Sequence, residues 1–255
     1  MTVIAACSRS EKILFPDLIT GCPFPVRHNP HCDAASAESK RWLITGCKLS
    51  KKKCNALHGL KGGLLTSMCY PGASYDHFRV CCDWINYLFH LDDICDDMDD
   101  RTTVSTAGEI LGALRDPHCF RPSSAVGRLT QSFWSRLSRT ASRGAQRRFI
   151  ETFELFFCAV TQQAKHRETG DIPDLESYIA MRRDTSGCKP CWALIEYAYD
   201  LDLPDLVMDH PTVRGLGEAA NDLVTWSNDI FSFNVEQANG THPRHHSFDV
   251  LAVKT

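Results

Sequence analysis

The sequence predicts an all-α protein, a bundle of about ten helices joined by short connections. Three observations support this fold class. Apolar residues recur at intervals of three and four over most of the 255-residue chain, as expected for helices that bury one face. Proline and glycine interrupt these segments in the manner typical of helix ends. No segment of convincing length alternates apolar and polar residues, which would indicate a half-buried strand.

The first forty residues are predicted to be irregular. Four prolines punctuate them, namely Pro16, Pro23, Pro25 and Pro30. Each proline fixes its own φ and disfavours helix at the preceding residue. A first helix is expected over 36–49. The apolar segment 54–69 should also be helical, and its three glycines indicate close helix contacts or a break.

A long helix is predicted from just after Pro71 to about Met98. The apolar residues of its inner face are Phe78, Cys82, Ile85, Leu88 and Phe89. The remaining helices are expected over 103–117, 125–142, 145–170, 174–187, 189–201 and 212–240. The tail 241–255 lacks helical periodicity. The organisation is therefore one domain over 1–255, with an irregular segment 1–40 and an atypical tail 241–255.

The bulk composition excludes several partners. A formal net charge of -3 gives no reason to expect nucleic acid or an anionic membrane surface. No apolar run approaches the roughly 20 residues of a membrane span, and the N-terminus lacks a signal-peptide pattern. A cytoplasmic location is expected, with the thirteen cysteines reduced. Cys188 and Cys191 form a CxxC without a second ligand pair, so zinc is not predicted.

Six aspartates lie within nine residues of the segment HLDDICDDMDD, which runs from His90 to Asp100. On a continuous helix Asp92, Asp96 and Asp100 share one face, with Phe89 one turn earlier. A solvated acidic face is the simplest explanation, but the apolar residues before it predict that this face points inward. Buried carboxylates need a countercharge. Clustered oxygens suit Mg²⁺, which is commonly completed by substrate phosphates.

A second group of oxygen donors lies on the last predicted helix. Asn228, Ser232 and Glu236 follow one another at intervals of four and form one stripe. A polar outer face is the alternative, although the intervening residues are largely apolar. Two oxygen-rich stripes could face each other across a cavity and hold a polyanion through Mg²⁺. Arg182 could bind the same anion directly, because a guanidinium matches phosphate geometry.

These residues carry a family resemblance. DDICD and NDIFSFNVE resemble the paired aspartate-rich and NSE motifs of class I terpene synthases. CCDWINYLFHLDD resembles fungal, basidiomycete-type sesquiterpene synthases in particular. Arg182 stands where that family has its diphosphate-sensing arginine. The resemblance extends from about residue 15 to residue 240.

The resemblance implies a lyase that ionises farnesyl diphosphate to an allylic carbocation, cyclises it and releases diphosphate. It implies three Mg²⁺ ions. Metal binding is assigned to Asp92, Asp96, Asn228, Ser232 and Glu236. Substrate binding is assigned to Arg182, Thr185, Ser186, Phe89 and Trp192, the last two as cavity walls. Catalysis would depend chiefly on Asp92 and Arg182, the principal metal ligand and the sensor.

The chain departs from the family near its end. Asn239 stands where the family usually has a lysine or arginine, and the family's later helices are not recognisable. The expectation is a truncated bundle with its last helices missing. Phe231, Phe233 and Val235 would then be exposed and could cause self-association. Two alternatives stay open: an inactive metal- and diphosphate-binding relic, and a chain-elongating prenyltransferase. The second is disfavoured, since that class carries two aspartate-rich motifs.

Overall fold

Every regular element in the described part of the chain is an α-helix, as predicted. The structure is a computed structural model that describes residues 17, 20–95 and 98–239, with 233–239 as backbone only. Its helices are α1 Cys32–Cys47, α2 Lys51–Leu60, α3 Gly62–Cys69, α4 Tyr75–Cys95, α5 Asp100–Arg115, α6 Ala125–Leu137, α7 Arg143–Thr169, α8 Leu175–Thr185, α9 Cys188–Ala198, α10 Asp205–Met208 and α11 Pro211–Asn239. None of these helices is long and apolar enough to cross a lipid bilayer.

The first helix begins at Cys32, inside the segment that was expected to be irregular up to residue 40. Asn29 starts it, because its side-chain oxygen accepts from the His31 amide at 2.9 Å and its carbonyl from the Cys32 amide at 3.2 Å. The Asn29 amide group also donates to the carbonyls of Tyr70 and Ala73, each at 2.9 Å. One buried asparagine therefore fixes the start of α1 and the turn before α4.

Both explanations of the glycines in 54–69 are confirmed. The helix breaks at Lys61, whose φ of 53° lies in the left-handed region, and α3 begins at the next residue. A Cβ on Gly62 would lie 2.5 Å from Asn86 Oδ1, and one on Gly63 would collide with Ser36. These glycines let α3 approach α1 and α4 closely.

Helix α4 is the centre of the bundle, with α1, α3, α6 and α9 packed around it. Almost every residue from His77 to Leu88 is buried, so this helix lacks a solvent face over three turns. Trp84 anchors the core, with its ring centroid 4.8 Å from that of Phe149 and 4.9 Å from that of Phe153. Four of the five predicted inner residues are buried.

Phe89 is the exception, because its side chain is 37% exposed. The predicted continuity beyond it is also wrong, since α4 ends at Cys95 and Asp100 is the first residue of α5. Asp99 is the reason for the new start. Its Oδ1 accepts from the Thr102 amide at 2.7 Å, an N-cap that aspartate favours. Hydrogen bonds from the side chain and the backbone amide of Thr102 lower the pKa of Asp99. Asp100 therefore does not share a helix face with Asp92.

The last helix, α11, packs on α8, α9 and α10. The single turn α10 was not predicted, because four residues are too few to show a periodicity. Among the described side chains of α11, up to Ser232, four large apolar ones are exposed: Leu216, Leu223, Val224 and Phe231. The exposure predicted for Phe231 is confirmed at 63%. The side chains of Phe233 and Val235, and the whole tail 241–255, lie outside the described residues.

Candidate active site

Arg182 of α8 is held by the last helix. Its Nε and Nη2 both donate to Asp229 Oδ1, at 3.1 and 2.7 Å. The Tyr178 hydroxyl donates to Asp229 Oδ2 at 3.2 Å. Asp229 is 2% exposed and Tyr178 is equally buried. A buried carboxylate that accepts three hydrogen bonds, two of them from a cation, fixes the guanidinium with little freedom.

The same guanidinium contacts the predicted metal stripe. Arg182 Nη2 donates to Asn228 Oδ1 at 3.2 Å. The structure therefore brings together two of the residues that the sequence analysis selected from separate segments. Asn228 itself is exposed, so its carboxamide oxygen can be reached from solvent.

The electrostatics connect this pair to α4. Desolvation opposes the charge of Arg182, but the carboxylate of Asp229 outweighs it, and Tyr178 and Asp92 add to the effect. The pKa of Arg182 is consequently raised. Because the negative charge of Asp92 acts on Arg182, the acidic end of α4 lies within electrostatic range of the α8–α11 pair.

Ser232 follows Asn228 by one helical turn on α11. Its Oγ is buried and has no hydrogen-bond partner among the described residues. A buried hydroxyl without a partner normally indicates a missing ligand or water. Thr225, about one turn before Asn228, has a second such hydroxyl. Glu236, the third member of the stripe, has its side chain outside the described residues.

Asp92 is exposed, which corrects the expectation that the acidic face is buried. Its neighbour Asp93 is exposed as well, whereas Leu91 is fully buried. The last turn of α4 therefore presents its carboxylates to solvent at the edge of the bundle, where ionised groups keep their hydration. Among residues 20–95 and 98–232, there is no group of three Asp, Glu, His or Cys side chains that could hold a metal ion. Asp96 lies outside the described residues.

A small cavity of about 240 Å³ adjoins this edge. Phe89, Asp92 and Asp93 line it from α4, and Lys53 lines it from α2. The exposure of Phe89 is thus explained by its position at the mouth of a cavity. Trp192, the other predicted wall residue, is half-buried on α9, and its Nε1 is buried without a hydrogen-bond partner among the described residues.

Thr185 and Ser186 end helix α8 next to the arginine. Thr185 is 8% exposed and its hydroxyl donates to the Arg182 carbonyl at 3.4 Å. The Ser186 hydroxyl donates to Asn221 Oδ1 at 2.9 Å, and Asn221 Nδ2 donates to the Arg183 carbonyl at 2.8 Å. These contacts fasten the end of α8 to α11, which sets the distance between Arg182 and the metal stripe.

Asp229, Tyr178 and Asn221 were not predicted from the sequence. Two signals were available. Asp229 directly follows Asn228 and so belongs to the neighbouring face of α11, while Tyr178 precedes Arg182 by one turn of α8. Which partner each would contact depended on how α8 and α11 pack, and that packing is not visible in a local pattern.

Comparison with known proteins agrees with this architecture. Residues 83–252 match the family described as "Terpene synthase family 2, C-terminal metal binding". The solved structure of α-eudesmol synthase superposes with a TM-score of 0.81 at 22% identity, covering 95% of this chain and 78% of that one. The fold is that of the class I terpene synthases, and the chain belongs to the terpene synthase family.

Two similar curated proteins are fungal sesquiterpene synthases. Sesquiterpene synthase 2 of Postia placenta is 64% identical over 240 residues, which cover 94% of this chain and 71% of that protein. Sesquiterpene synthase Agr1 of Cyclocybe aegerita is 59% identical over 239 residues, covering 93% of this chain and 69% of that protein.

Proposed function

We propose that this protein is a sesquiterpene synthase that ionises farnesyl diphosphate, cyclises the resulting carbocation and releases diphosphate. One observation carries the proposal. The Arg182 guanidinium, held by buried Asp229, lies within hydrogen-bond distance of Asn228 Oδ1. The residue that we propose binds diphosphate therefore lies next to an oxygen that we propose binds metal, which supports the proposal. The identity to fungal sesquiterpene synthases supports the choice of substrate.

The donor set fits Mg²⁺. Asp92 offers an exposed carboxylate, Asn228 an exposed carboxamide oxygen and Ser232 a buried hydroxyl with no protein partner among the described residues. Hard oxygen donors of this kind are the ligands that Mg²⁺ prefers. Asp92 and Asp96 would hold magnesium from α4, and Asn228, Ser232 and Glu236 from α11. When bound, three Mg²⁺ ions would neutralise the charge that develops on the departing diphosphate.

The protein's own side chains would bind the diphosphate and enclose the hydrocarbon chain. Arg182 donates to the phosphate oxygens in a fixed orientation, because Asp229 and Tyr178 hold it. Thr185 and Ser186 keep the end of α8 in place, and this fixes where Arg182 meets the substrate. Phe89 and Trp192 would line the path of the hydrocarbon chain, where aromatic faces stabilise a carbocation and exclude water.

The test is product analysis with the purified chain. Farnesyl diphosphate and Mg²⁺ should give a cyclic C15 hydrocarbon, detected by gas chromatography and mass spectrometry, together with released diphosphate. A chelator should abolish both. Added isopentenyl diphosphate should not be consumed; its incorporation would instead identify a chain-elongating prenyltransferase. Binding of Mg²⁺ and diphosphate with no hydrocarbon formed would identify the inactive relic.

We further propose that the chain self-associates through the exposed face of α11. Leu216, Leu223 and Phe231 are 66%, 72% and 63% exposed, and they lie near one another along one side of the helix. Apolar surface of this kind favours association. Sedimentation velocity should show concentration-dependent dimers that the double variant Leu223→Gln, Phe231→Gln loses. Val104→Gln, at an isolated exposed site of α5, should leave them unchanged.

The cytoplasmic location is likewise a proposal. Fractionation of cells that express the full chain, with detection in the cytosolic fraction, would test it.

A further inference from the structure

Asn228 Oδ1 has two competing uses in this protein. It is the first oxygen of the proposed metal stripe, and in the structure it accepts a hydrogen bond from Arg182 Nη2 at 3.2 Å. A divalent cation on that oxygen would face a guanidinium at hydrogen-bond distance from the same atom. Two cations on one carboxamide oxygen repel each other, although water screens part of the repulsion at this exposed contact. Metal binding and the Arg182–Asn228 contact therefore oppose one another.

Arg182 does not need Asn228 to stay in place. Its stronger contacts are with Asp229, where Nε and Nη2 share Oδ1 at 3.1 and 2.7 Å. Asp229 is itself fixed from its other oxygen by the Tyr178 hydroxyl at 3.2 Å. If the contact with Asn228 breaks, the guanidinium can keep its position through Asp229. Nη2 then has donor capacity for an incoming anion.

We infer that Asp229 is a positioning residue for Arg182, and that capture of a divalent cation by Asn228 transfers the Arg182 Nη2 donor from Asn228 to diphosphate. Cation binding and diphosphate binding are then coupled beyond their direct attraction. The inference rests on the proposed function, since it assumes that Asn228 binds metal and Arg182 binds diphosphate. No covalent step is involved; one hydrogen bond is exchanged for another.

Neighbouring residues supply a matched control. Arg183 and Asp222 form the same kind of pair between α8 and α11, with Nε to Oδ1 at 2.7 Å and Nη2 to Oδ2 at 2.6 Å. This pair lies one residue further on α8 and two turns earlier on α11. It has no described contact with Asn228. Asp222→Asn therefore removes a similar ion pair between the same helices without touching the proposed exchange.

The experiment measures binding, not turnover. Mn²⁺, which takes the same oxygen ligands as Mg²⁺, is titrated into the full chain and followed by electron paramagnetic resonance. Inorganic pyrophosphate is then titrated by calorimetry with Mn²⁺ present. The proteins are the parent, Arg182→Lys, Asp229→Asn and Asp222→Asn. Circular dichroism first establishes that each variant has the parent's helical content.

Arg182→Lys is the decisive variant for the exchange. Lysine keeps the positive charge but has one nitrogen, so it cannot contact Asp229 and Asn228 with the parent's geometry. Without pyrophosphate it should bind Mn²⁺ more tightly than the parent, by about threefold or more, because Asn228 is released. It should bind pyrophosphate about tenfold more weakly. Mn²⁺ affinity equal to or below that of the parent overturns the exchange.

Asp229→Asn tests the positioning role. With Mn²⁺ present, its affinity for pyrophosphate should fall about tenfold, because the guanidinium loses its charged partner. Asp222→Asn should stay within about twofold of the parent. Equal losses in the two variants would show a general packing effect and overturn the assignment. If Asp229→Asn does not fold, Tyr178→Phe replaces it, and a loss of about threefold is expected; no loss overturns the role.

The outcomes separate this inference from the proposed function. A parent chain that shows the expected binding pattern but forms no hydrocarbon contradicts only the proposed function. A parent chain that cyclises farnesyl diphosphate while Arg182→Lys binds Mn²⁺ no more tightly contradicts only the exchange.

Discussion

Replacing Glu196 by glutamine should destabilise the protein strongly, although Glu196 is not one of the predicted site residues. Glu196 of α9 is 2% exposed and accepts two hydrogen bonds from Arg148 of α7, at 2.8 and 2.6 Å. Its Oε1 also accepts from the Leu203 amide at 3.3 Å. Glutamine preserves the shape but removes the charge. Both carboxylate oxygens of Glu196 accept hydrogen bonds, so the NH₂ group of glutamine must face an N–H donor of Arg148 or Leu203.

The expected loss of stability follows from the contacts that Arg148 keeps after the substitution. Breaking a buried ion pair on one side costs about 3–5 kcal/mol. Asp205 still contacts Arg148 at 2.7 Å but is 56% exposed, so it compensates only in part. We therefore expect a loss of about 3 kcal/mol, or a fall in Tm of about 6–12 °C for a chain of this size.

Thermal unfolding followed by circular dichroism measures the change. Glu151→Gln is the control, because Glu151 is 57% exposed and lies 3.6 Å from Arg147. A surface pair of that kind contributes at most about 0.5 kcal/mol. If Glu196→Gln melts within about 2 °C of the parent, the Arg148–Glu196 pair does not hold α7 and α9 together as described.

Substitutions at three further positions test the site and its surroundings. Asp92→Asn should abolish diphosphate release from farnesyl diphosphate, because it removes a proposed metal ligand at constant volume; turnover at the parent rate would contradict its role. Arg182→Lys should lower the rate of diphosphate release about tenfold or more, and an unchanged rate would exclude the sensor role. Asp99→Asn should leave Tm unchanged, since asparagine also caps helices, whereas Asp99→Ala should cost about 1 kcal/mol. Equal melting of the two Asp99 variants would argue against the cap.

Helices were predictable wherever their determinants are local. The predicted segment after Pro71 corresponds to α4, and the end near Gly170 corresponds to α7, whose C-cap is Gly170 in the left-handed conformation. A positive φ at that position is what glycine favours. The break at Lys61 was also anticipated from the surrounding glycines. In each case the signal lies within a few residues of the feature.

Boundaries were wrong where a side-chain cap competed with periodicity. The aspartate run reads as one continuous face, but Asp99 supplies an N-cap that starts α5 and separates Asp100 from Asp92. The early start of α1 has a related origin, although its N-cap His31 makes no side-chain cap: Asn29 organises the turn before the helix through the amides of His31 and Cys32. Hydrophobic periodicity does not register a hydrogen bond that one backbone amide donates to one side-chain oxygen.

The acidic end of α4 shows why the environment of the predicted metal ligands could not be read from the sequence. A buried carboxylate face would require the burial around Trp84 to continue to the end of the helix. Burial does continue to Leu91, which is fully enclosed. Placing Asp92 and Asp93 there as well would remove two adjacent like charges from water, at a cost of several kcal/mol per ion. Exposure at the edge of the bundle avoids that cost and leaves the carboxylates accessible to a cation. The buried part of α4 therefore fixes where the acidic end lies, and the exposed part stays in contact with solvent, as the proposed metal site requires.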